Sequence, residues 1–274
     1  MEWDKANAEQ ARNAESFDRM AERYMSLYQE NSAVGMGFRL RKQRVLELFD
    51  QSGGTVLDVG CGPGVFAEDL LGRGCTYWGI DHSAKMMEEC RRRFGERPHA
   101  HFLAASGEHL AFPDQSFDAV LCVGVLDRTP ALDPLLAELV RVLKQGGTLL
   151  LTYSNASNPY FLWRDFVVEP FVSLLRSVYD LVSDKPRLPT SPRHRLYFER
   201  MLVRTLVNHR CRVERTLYTG YNLCLPPLNR MLPRFATSTM EKLETLRDTR
   251  LRRIASMGIL KARRYREWPP SEGS

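Results

Sequence analysis

The 274-residue sequence has no apolar run approaching the roughly 18 to 20 residues that span a bilayer, so it predicts no transmembrane helix. Its start, Met1-Glu2-Trp3-Asp4-Lys5, lacks the basic-then-apolar order of a secretory leader, and a cytoplasmic location is the resulting expectation. Cysteine is sparse. The six cysteines, at 61, 75, 90, 122, 211 and 224, show no close pairing, which argues against a structural metal and against a disulfide framework. Two further absences concern one loop, Gly60-Cys61-Gly62-Pro63-Gly64. No Gly-Lys-Ser/Thr follows it, which excludes a P-loop; a dinucleotide fingerprint needs glycine at 65, where Val65 stands, which disfavours NAD.

What is present is a short apolar strand, Val56-Leu57-Asp58-Val59, breaking into that loop and followed by the helix-compatible Val65-Phe66-Ala67-Glu68. Strand, tight turn and helix N-terminus together suit a polar, nucleotide-like cofactor, because glycines let backbone approach a ligand and turn sharply. Asp81, closing a second strand, offers the bidentate charged acceptor that a ribose diol requires.

Charge is unevenly distributed. Residues 1–175 carry 18 Lys or Arg against 24 Asp or Glu, and residues 176–274 carry 21 against 9, so the two parts stand at −6 and +12. The basic part could steer an acidic small molecule, an anionic membrane surface or a nucleic acid, or simply solvate helices and pair with carboxylates of the first part. No aromatic-interleaved motif favours nucleic acid.

Periodicity predicts helices over 8–30 and 38–50 as an N-terminal cover. Strands follow near 55–59, 76–80, 100–104, 117–123 and 148–153, with helices at 65–72, 83–94 and 132–143 between them, and Gly146-Gly147 as a turn before the last strand. Short strands alternating with helices imply right-handed crossovers, a mostly parallel α/β sheet, and ligands at the strands' carboxyl ends. Beyond Asn155 the expectation is an apolar helical stretch at 160–182, a proline-rich loop at 185–192 and a helix at 197–208. A strand at 211–219, a helix at 238–252 and a closing strand at 255–262 complete the chain. This describes a single domain over 1–274, with a cover at 1–50, a cofactor core at 55–155, and acceptor-binding insertions at 156–210 and 220–250.

Five segments carry a family resemblance in unbroken order: Val-Leu-Asp-Val-Gly-Cys-Gly-Pro-Gly at 56–64, Trp-Gly-Ile-Asp at 78–81, Ala-Ser-Gly-Glu-His-Leu-Ala-Phe-Pro-Asp at 105–114, Ser-Phe-Asp-Ala-Val at 116–120, and Leu-Lys-Gln-Gly-Gly-Thr-Leu-Leu-Leu at 143–151. They resemble the class I S-adenosylmethionine-dependent methyltransferases, in particular the small-molecule type that includes the ubiquinone and menaquinone biosynthesis enzymes. The resemblance implies a Rossmann-like class I methyltransferase fold: a mostly parallel seven-stranded sheet with an antiparallel closing strand, helices on both faces, an N-terminal helical cover and helical insertions. It also implies S-adenosyl-L-methionine as cofactor, with S-adenosyl-L-homocysteine as product.

On that resemblance, Gly60, Cys61, Gly62 and Gly64 would pass beneath the methionine part, and Asp58 would orient the loop and the ligand's amino group. Asp81 would bind the ribose hydroxyls, with His82 near ribose or adenine and Met86 packed on the adenine. Ser106, Gly107 and Glu108 would meet the adenine edge, Ser106 standing where the family often has aspartate. Cys122, Val123 and Gly124 would line the methionine end, and Tyr24, on the cover helix, would close over the cofactor.

The sulfonium is already a good leaving group, so the protein mainly aligns acceptor, carbon and sulfur. Many relatives carry a histidine near the position of Arg128; here the pair is Asp127-Arg128, a candidate base and anion clamp or else a local salt bridge. His194 and Tyr197 are the other candidates for deprotonating or orienting an acceptor. The acceptor is expected to be a partly apolar, anionic small molecule lodged among Tyr153, Tyr160, Phe161, Trp163, Phe166, Phe171, Tyr197, Tyr221 and Leu225, with Arg187, Arg193 and Arg195 nearby. O-methylation of a hydroxyl or carboxylate in secondary metabolism leads. C- or N-methylation, RNA methylation and a non-catalytic cofactor-binding partner are the alternatives. Cys122-Val123-Gly124-Val125 stands where base-amine methylating sequences often carry Asn/Asp-Pro-Pro-Tyr/Phe, which counts against a nucleobase. Monomer and homodimer stay open.

Overall fold

The computed structural model describes residues 2–168, 170, 173, 195–221, 231–245 and 249–265. Two N-terminal helices, α1 (Glu2–Leu27) and α2 (Ala33–Leu48), precede β1 (Thr55–Val59). Then come α3 (Ala67–Gly72), β2 (Thr76–Asp81), α4 (Ala84–Phe94), β3 (Ala100–Ala104), β4 (Phe117–Cys122), a 3-10 turn (Leu126–Arg128), α5 (Leu132–Val142) and β5 (Leu143–Ser154). The remainder is α6 (Pro159–Trp163), α7 (Glu199–Asn208), β6 (Cys211–Thr219), α8 (Pro233–Leu243), a second 3-10 turn (Arg250–Ile254) and β7 (Met257–Arg264).

The strands form one seven-stranded sheet in the order β3-β2-β1-β4-β5-β7-β6. β1 to β5 pair in parallel, and β7 runs antiparallel to both β5 and β6. This is the expected Rossmann-like class I methyltransferase fold with its antiparallel closing strand. Both faces are covered, so the central strands are apolar on both sides. Leu57, Val59, Val120, Leu149, Leu151 and Leu260 face one core with α5 and α7. Val56, Ala119, Leu121, Leu150 and Ile259, the alternate positions, face the other with α2, α3 and α4.

Several boundaries differ from the sequence reading: α1 and α2 begin at Glu2 and Ala33 instead of 8 and 38, β7 ends at Arg264 instead of 262, and three further differences have a local cause. Gly146-Gly147 lies inside β5, where the register against β4 shifts between Phe117 and Ala119, so the pair makes an irregularity within the strand instead of a turn before it. α3 begins at Ala67, not Val65, because the loop coils on itself: Gly64 has φ +75° and its amide donates to Cys61 O at 3.1 Å. α8 occupies Pro233–Leu243, upstream of the expected 238–252, since Pro233 supplies a preset first-turn φ.

Candidate functional site

The strand order reverses direction between β1 and β4, and a crevice forms at their carboxyl ends for topological reasons. A cleft enclosing about 860 Å³ of atom-free space opens there, walled by the ends of β1, β2 and β4, the start of α4, the loop after β3 and the inner side of α1.

Gly60, Gly62, Asp81, His82, Ser83 and Met86 line one half. The Asp81 carboxylate accepts from Gly62 N and from Ser83 N, each at 2.9 Å, which fixes the glycine loop against the end of β2. The carboxylate lines the cleft and has acceptor capacity beyond these two bonds. Burial lifts the Asp81 carboxyl above its ordinary range, opposed by those amide bonds. Ser83 caps α4 by accepting from Met86 N at 3.2 Å, and its hydroxyl donates to Asp18 of α1, which binds the cover helix to the floor.

Beneath the loop lies a buried charge pair. Asp58 is 1% exposed; Tyr77 Oη donates to its Oδ2 at 2.7 Å, while Oδ1 has no partner. Burial pushes this carboxyl up to about 7, the Tyr77 bond opposing. Arg41, from α2, is 9% exposed, donates to Tyr28 Oη at 3.0 Å, lies over the Phe38 ring at 4.7 Å, and has an unpartnered buried Nε. Gly124 leaves room for it: a Cβ there would meet the Arg41 guanidinium at 2.8 Å.

The second wall comprises Ala105, Ser106, Gly107 and Glu108 with Leu135. Gly107 must be small, since a Cβ would meet Val59 Cγ1 at 2.7 Å and Leu135 Cδ1 at 2.9 Å. Thr129 Oγ1 donates to Glu108, joining this loop to the turn after β4. The opposite half is Phe17, Tyr24, Val123, Gly124, Val125, Arg128 and Pro130. The Arg128 guanidinium lies over the Phe17 ring at 5.1 Å, and burial lowers its pKa.

Of the residues singled out from sequence, the cleft brings together Tyr24, Gly60, Gly62, Asp81, His82, Met86, Ser106, Gly107, Glu108, Val123 and Arg128. Asp58, Cys61, Gly64 and Cys122 stand behind the lining. Cys61 and Cys90 direct their thiols to Gly62 O, Gly64 packs on Phe94, and the Cys122 side chain lies in the core. Asp127 also points away from the cleft. Its Oδ1 accepts from Ser154 N at 2.8 Å and its Oδ2 from Ser154 Oγ at 2.6 Å, so both oxygens tie the 3-10 turn to the end of β5; burial raises its pKa against those bonds. Tyr197 is buried, donates to Leu126 O at 3.1 Å, and braces the same turn; burial raises its pKa too. These geometries explain why Asp127 and Tyr197 hold the turn from behind while Arg128, on the same turn, reaches the opening. His194, with Phe171, Arg187, Arg193 and Leu225, lies outside the described residues. Tyr153, Tyr160, Phe161, Trp163, Phe166 and Tyr221 do not line the cleft: Tyr153 lies within β5, Tyr160 to Phe166 follow it, and Tyr221 follows β6.

Sequence reasoning missed Arg41, Ser83 and Thr129. Arg41 had a signal: it falls at helical spacing with Phe38, Val45 and Leu48 on an otherwise apolar face, where a charge requires a partner. A zwitterionic aminoacyl group carried on an adenosine fits this donor set. Asp58 and Arg41 each keep an unsatisfied buried polar atom of opposite charge, and Asp81 keeps spare acceptor capacity.

Residues 57–151 match the methyltransferase domain family. The fatty-acid O-methyltransferase of Mycolicibacterium smegmatis is 40% identical over 105 residues, 38% of each chain. The ubiquinone biosynthesis O-methyltransferase of Thiobacillus denitrificans is 31% identical over 132 residues, 47% of this chain and 57% of that protein. These matches thus span less than two thirds of either relative. Magnesium protoporphyrin IX methyltransferase from Synechocystis, solved with bound S-adenosylhomocysteine, shares the fold with a TM-score of 0.59 at 16% identity, over 93% of this chain and 99% of that one. Residues 57–151 are thus similar to S-adenosylmethionine-dependent methyltransferase domains, and they lie within a seven-stranded sheet of that fold.

Proposed function

We propose that the chain transfers a methyl group from S-adenosylmethionine to the carboxylate or ionised hydroxyl of a partly apolar small molecule. The observation that carries this reading is Arg128, a cation set over the Phe17 ring at the edge of an otherwise apolar half-cleft. An anionic acceptor drawn to that guanidinium arrives already ionised and needs no base, only placement. Likeness over the core to a fatty-acid O-methyltransferase agrees with a carboxylate on an apolar chain.

The cofactor, when bound, supplies an electrophilic methyl on a sulfonium. Asp81 would take the ribose hydroxyls with its spare acceptor capacity. Asp58 and Arg41 would take the ammonium and carboxylate of the methionine part, completing atoms that otherwise stay buried and unpaired. Met86 and Leu135 would flank the adenine, with Ser106 and Glu108 at its edge and His82 beside the ribose. Phe17 and Tyr24, on α1, would cover the reacting region and exclude water. Asp127 and Tyr197 would be positioning residues for Arg128.

The test is saturable S-adenosylmethionine binding by calorimetry, followed by transfer of labelled methyl to a panel of long-chain and aromatic carboxylates. Methyl esters release their label as methanol in alkali, and alkali-labile product is the expected result. Alkali-stable label would instead exclude the carboxylate and point to a hydroxyl, carbon or nitrogen acceptor, and saturable binding with no transfer to any acceptor would point to a non-catalytic binder.

A further inference from the structure

Nine of the twelve large apolar residues that stand exposed among the described residues lie between 162 and 251, so the exposure is concentrated in one part of the chain. Phe166 is 77% exposed, Phe235 62% and Phe198 59%, with Met201, Leu232 and Leu251 also open. Exposed arginines are interleaved with them. Phe198 and Met201 flank Arg200, Leu232 and Phe235 flank Arg234, and Leu251 precedes Arg252 and Arg253.

The segments bearing these residues are fastened at the carboxyl ends of β5 and β6. Asn155, one residue past β5, donates to the carbonyls of Arg253 at 2.7 Å and Ala255 at 2.9 Å. Glu244, at the end of α8, accepts from Gly220 N at 2.9 Å and Thr219 Oγ1 at 3.0 Å, at the end of β6. Phe198 follows Tyr197, whose amide donates to Ser154 O at 2.9 Å. The cleft opens at this same carboxyl end of the sheet.

We propose that this face docks peripherally on an anionic lipid surface. Among the described residues no helix is long and apolar enough to cross a membrane, so the contact would be a shallow one. Its two components are on the page: apolar side chains that enter the acyl boundary, and the exposed Arg200, Arg234, Arg252 and Arg253 beside them, which are attracted to anionic headgroups. Leucine and methionine beside the arginines favour lipid over nucleic acid, which would use the cations and have no use for exposed aliphatic groups. The inference is independent of the methyl-transfer reading, because it concerns surface residues outside the cleft.

The test is co-sedimentation of the full chain with vesicles of phosphatidylcholine alone and of equal parts phosphatidylcholine and phosphatidylglycerol. Binding to the anionic vesicles at least tenfold tighter than to the neutral ones is expected. Each of Phe198→Ser and Phe235→Ser should weaken it roughly tenfold, and each of Arg200→Gln, Arg234→Gln and Arg252→Gln roughly fivefold. Every variant should keep the wild-type thermal unfolding midpoint. Three results would overturn the proposal: no preference for anionic vesicles, folded Phe→Ser variants that bind as well as wild type, or displacement from vesicles by an equal mass of RNA.

Discussion

The two halves of the cleft are built by different means. Its donor half is backbone and strand-end chemistry: the glycine loop, Asp81 and Ser83 are held by amide bonds at positions set by β1 and β2. Its acceptor half is side chains on a helix and a turn, Phe17, Tyr24, Val125 and Arg128, braced from behind by Asp127 on Ser154 and Tyr197 on Leu126. The first half is tied to the sheet topology, so any chain with this fold must nearly reproduce it. The second can change with a few side chains, and that is where acceptor choice would reside.

The largest effect should expose the cost of the donor half when no cofactor is added. Asp58 is buried with one unpaired oxygen, and its carboxyl stands at about 7 against an ordinary 3.8. A folded-state pKa above the unfolded one means that the native chain holds the extra proton between those values, so the residue's contribution to stability falls as pH rises from 3.8 to about 7. Asp58→Asn cannot ionise. Urea unfolding should find the variant close to wild type below this window and more stable above it, by on the order of 4 kcal/mol. Saturating S-adenosylmethionine should narrow the gap, by pairing the carboxylate in wild type. A stability difference independent of pH would show that Asp58 is not the strained group.

Next comes Asp81→Ala, which removes the charged acceptor for a ribose diol and releases the amides of Gly62 and Ser83. Calorimetry should record a rise of roughly 100-fold in the dissociation constant for S-adenosylmethionine. An unchanged constant would remove the ribose assignment. The counterpart in the other half is Arg128→Gln. It should raise the acceptor KM roughly 30-fold, the loss of one charged hydrogen bond, while cofactor affinity moves less than about twofold. If cofactor affinity fell as far as acceptor affinity, the division of the cleft into two halves would fail.

The same division explains what the sequence made legible. Val56 to Gly64 and Asp81 could be placed because strand periodicity and left-handed glycines leave local marks, and Gly60, Gly62 and Gly64 do adopt φ of +70°, +54° and +75°. The mostly parallel sheet followed from the alternation of strands and helices, and its seven strands with an antiparallel closing strand from the family resemblance. Asp127 read as acceptor-side chemistry because its chain proximity to β4 was visible, and Tyr197 because it follows the proline-rich loop, while the direction of their side chains was not: Ser154, 27 residues from Asp127, donates to both of its oxygens. Arg41 illustrates the same limit in the opposite sense. Its need for a partner was legible in its spacing with Phe38, Val45 and Leu48, but its place beside Gly124, a contact between α2 and the end of β4, was not.

The smallest predicted effect concerns Tyr24, the residue at which the two halves meet. Its ring stands edge-on to Phe38, with centroids 5.7 Å apart and an interplanar angle of 85°, and lies close to Gly62, whose added Cβ would be 3.8 Å from Tyr24 Cε1. The ring, not the hydroxyl, is therefore what covers the glycine loop, and the hydroxyl's neighbour is the already engaged Arg41. Tyr24→Phe keeps the ring and should weaken S-adenosylmethionine binding by no more than about threefold, the net worth of one neutral hydrogen bond. Tyr24→Ala opens the cover and should cost more than tenfold, since a large aromatic surface leaves the contact. An Ala variant that bound as tightly as wild type would mean that α1 does not close over the cofactor. A Phe variant as weak as the Ala variant would move the hydroxyl into the donor half, and the boundary between the halves would then run through α1 instead of along the sheet.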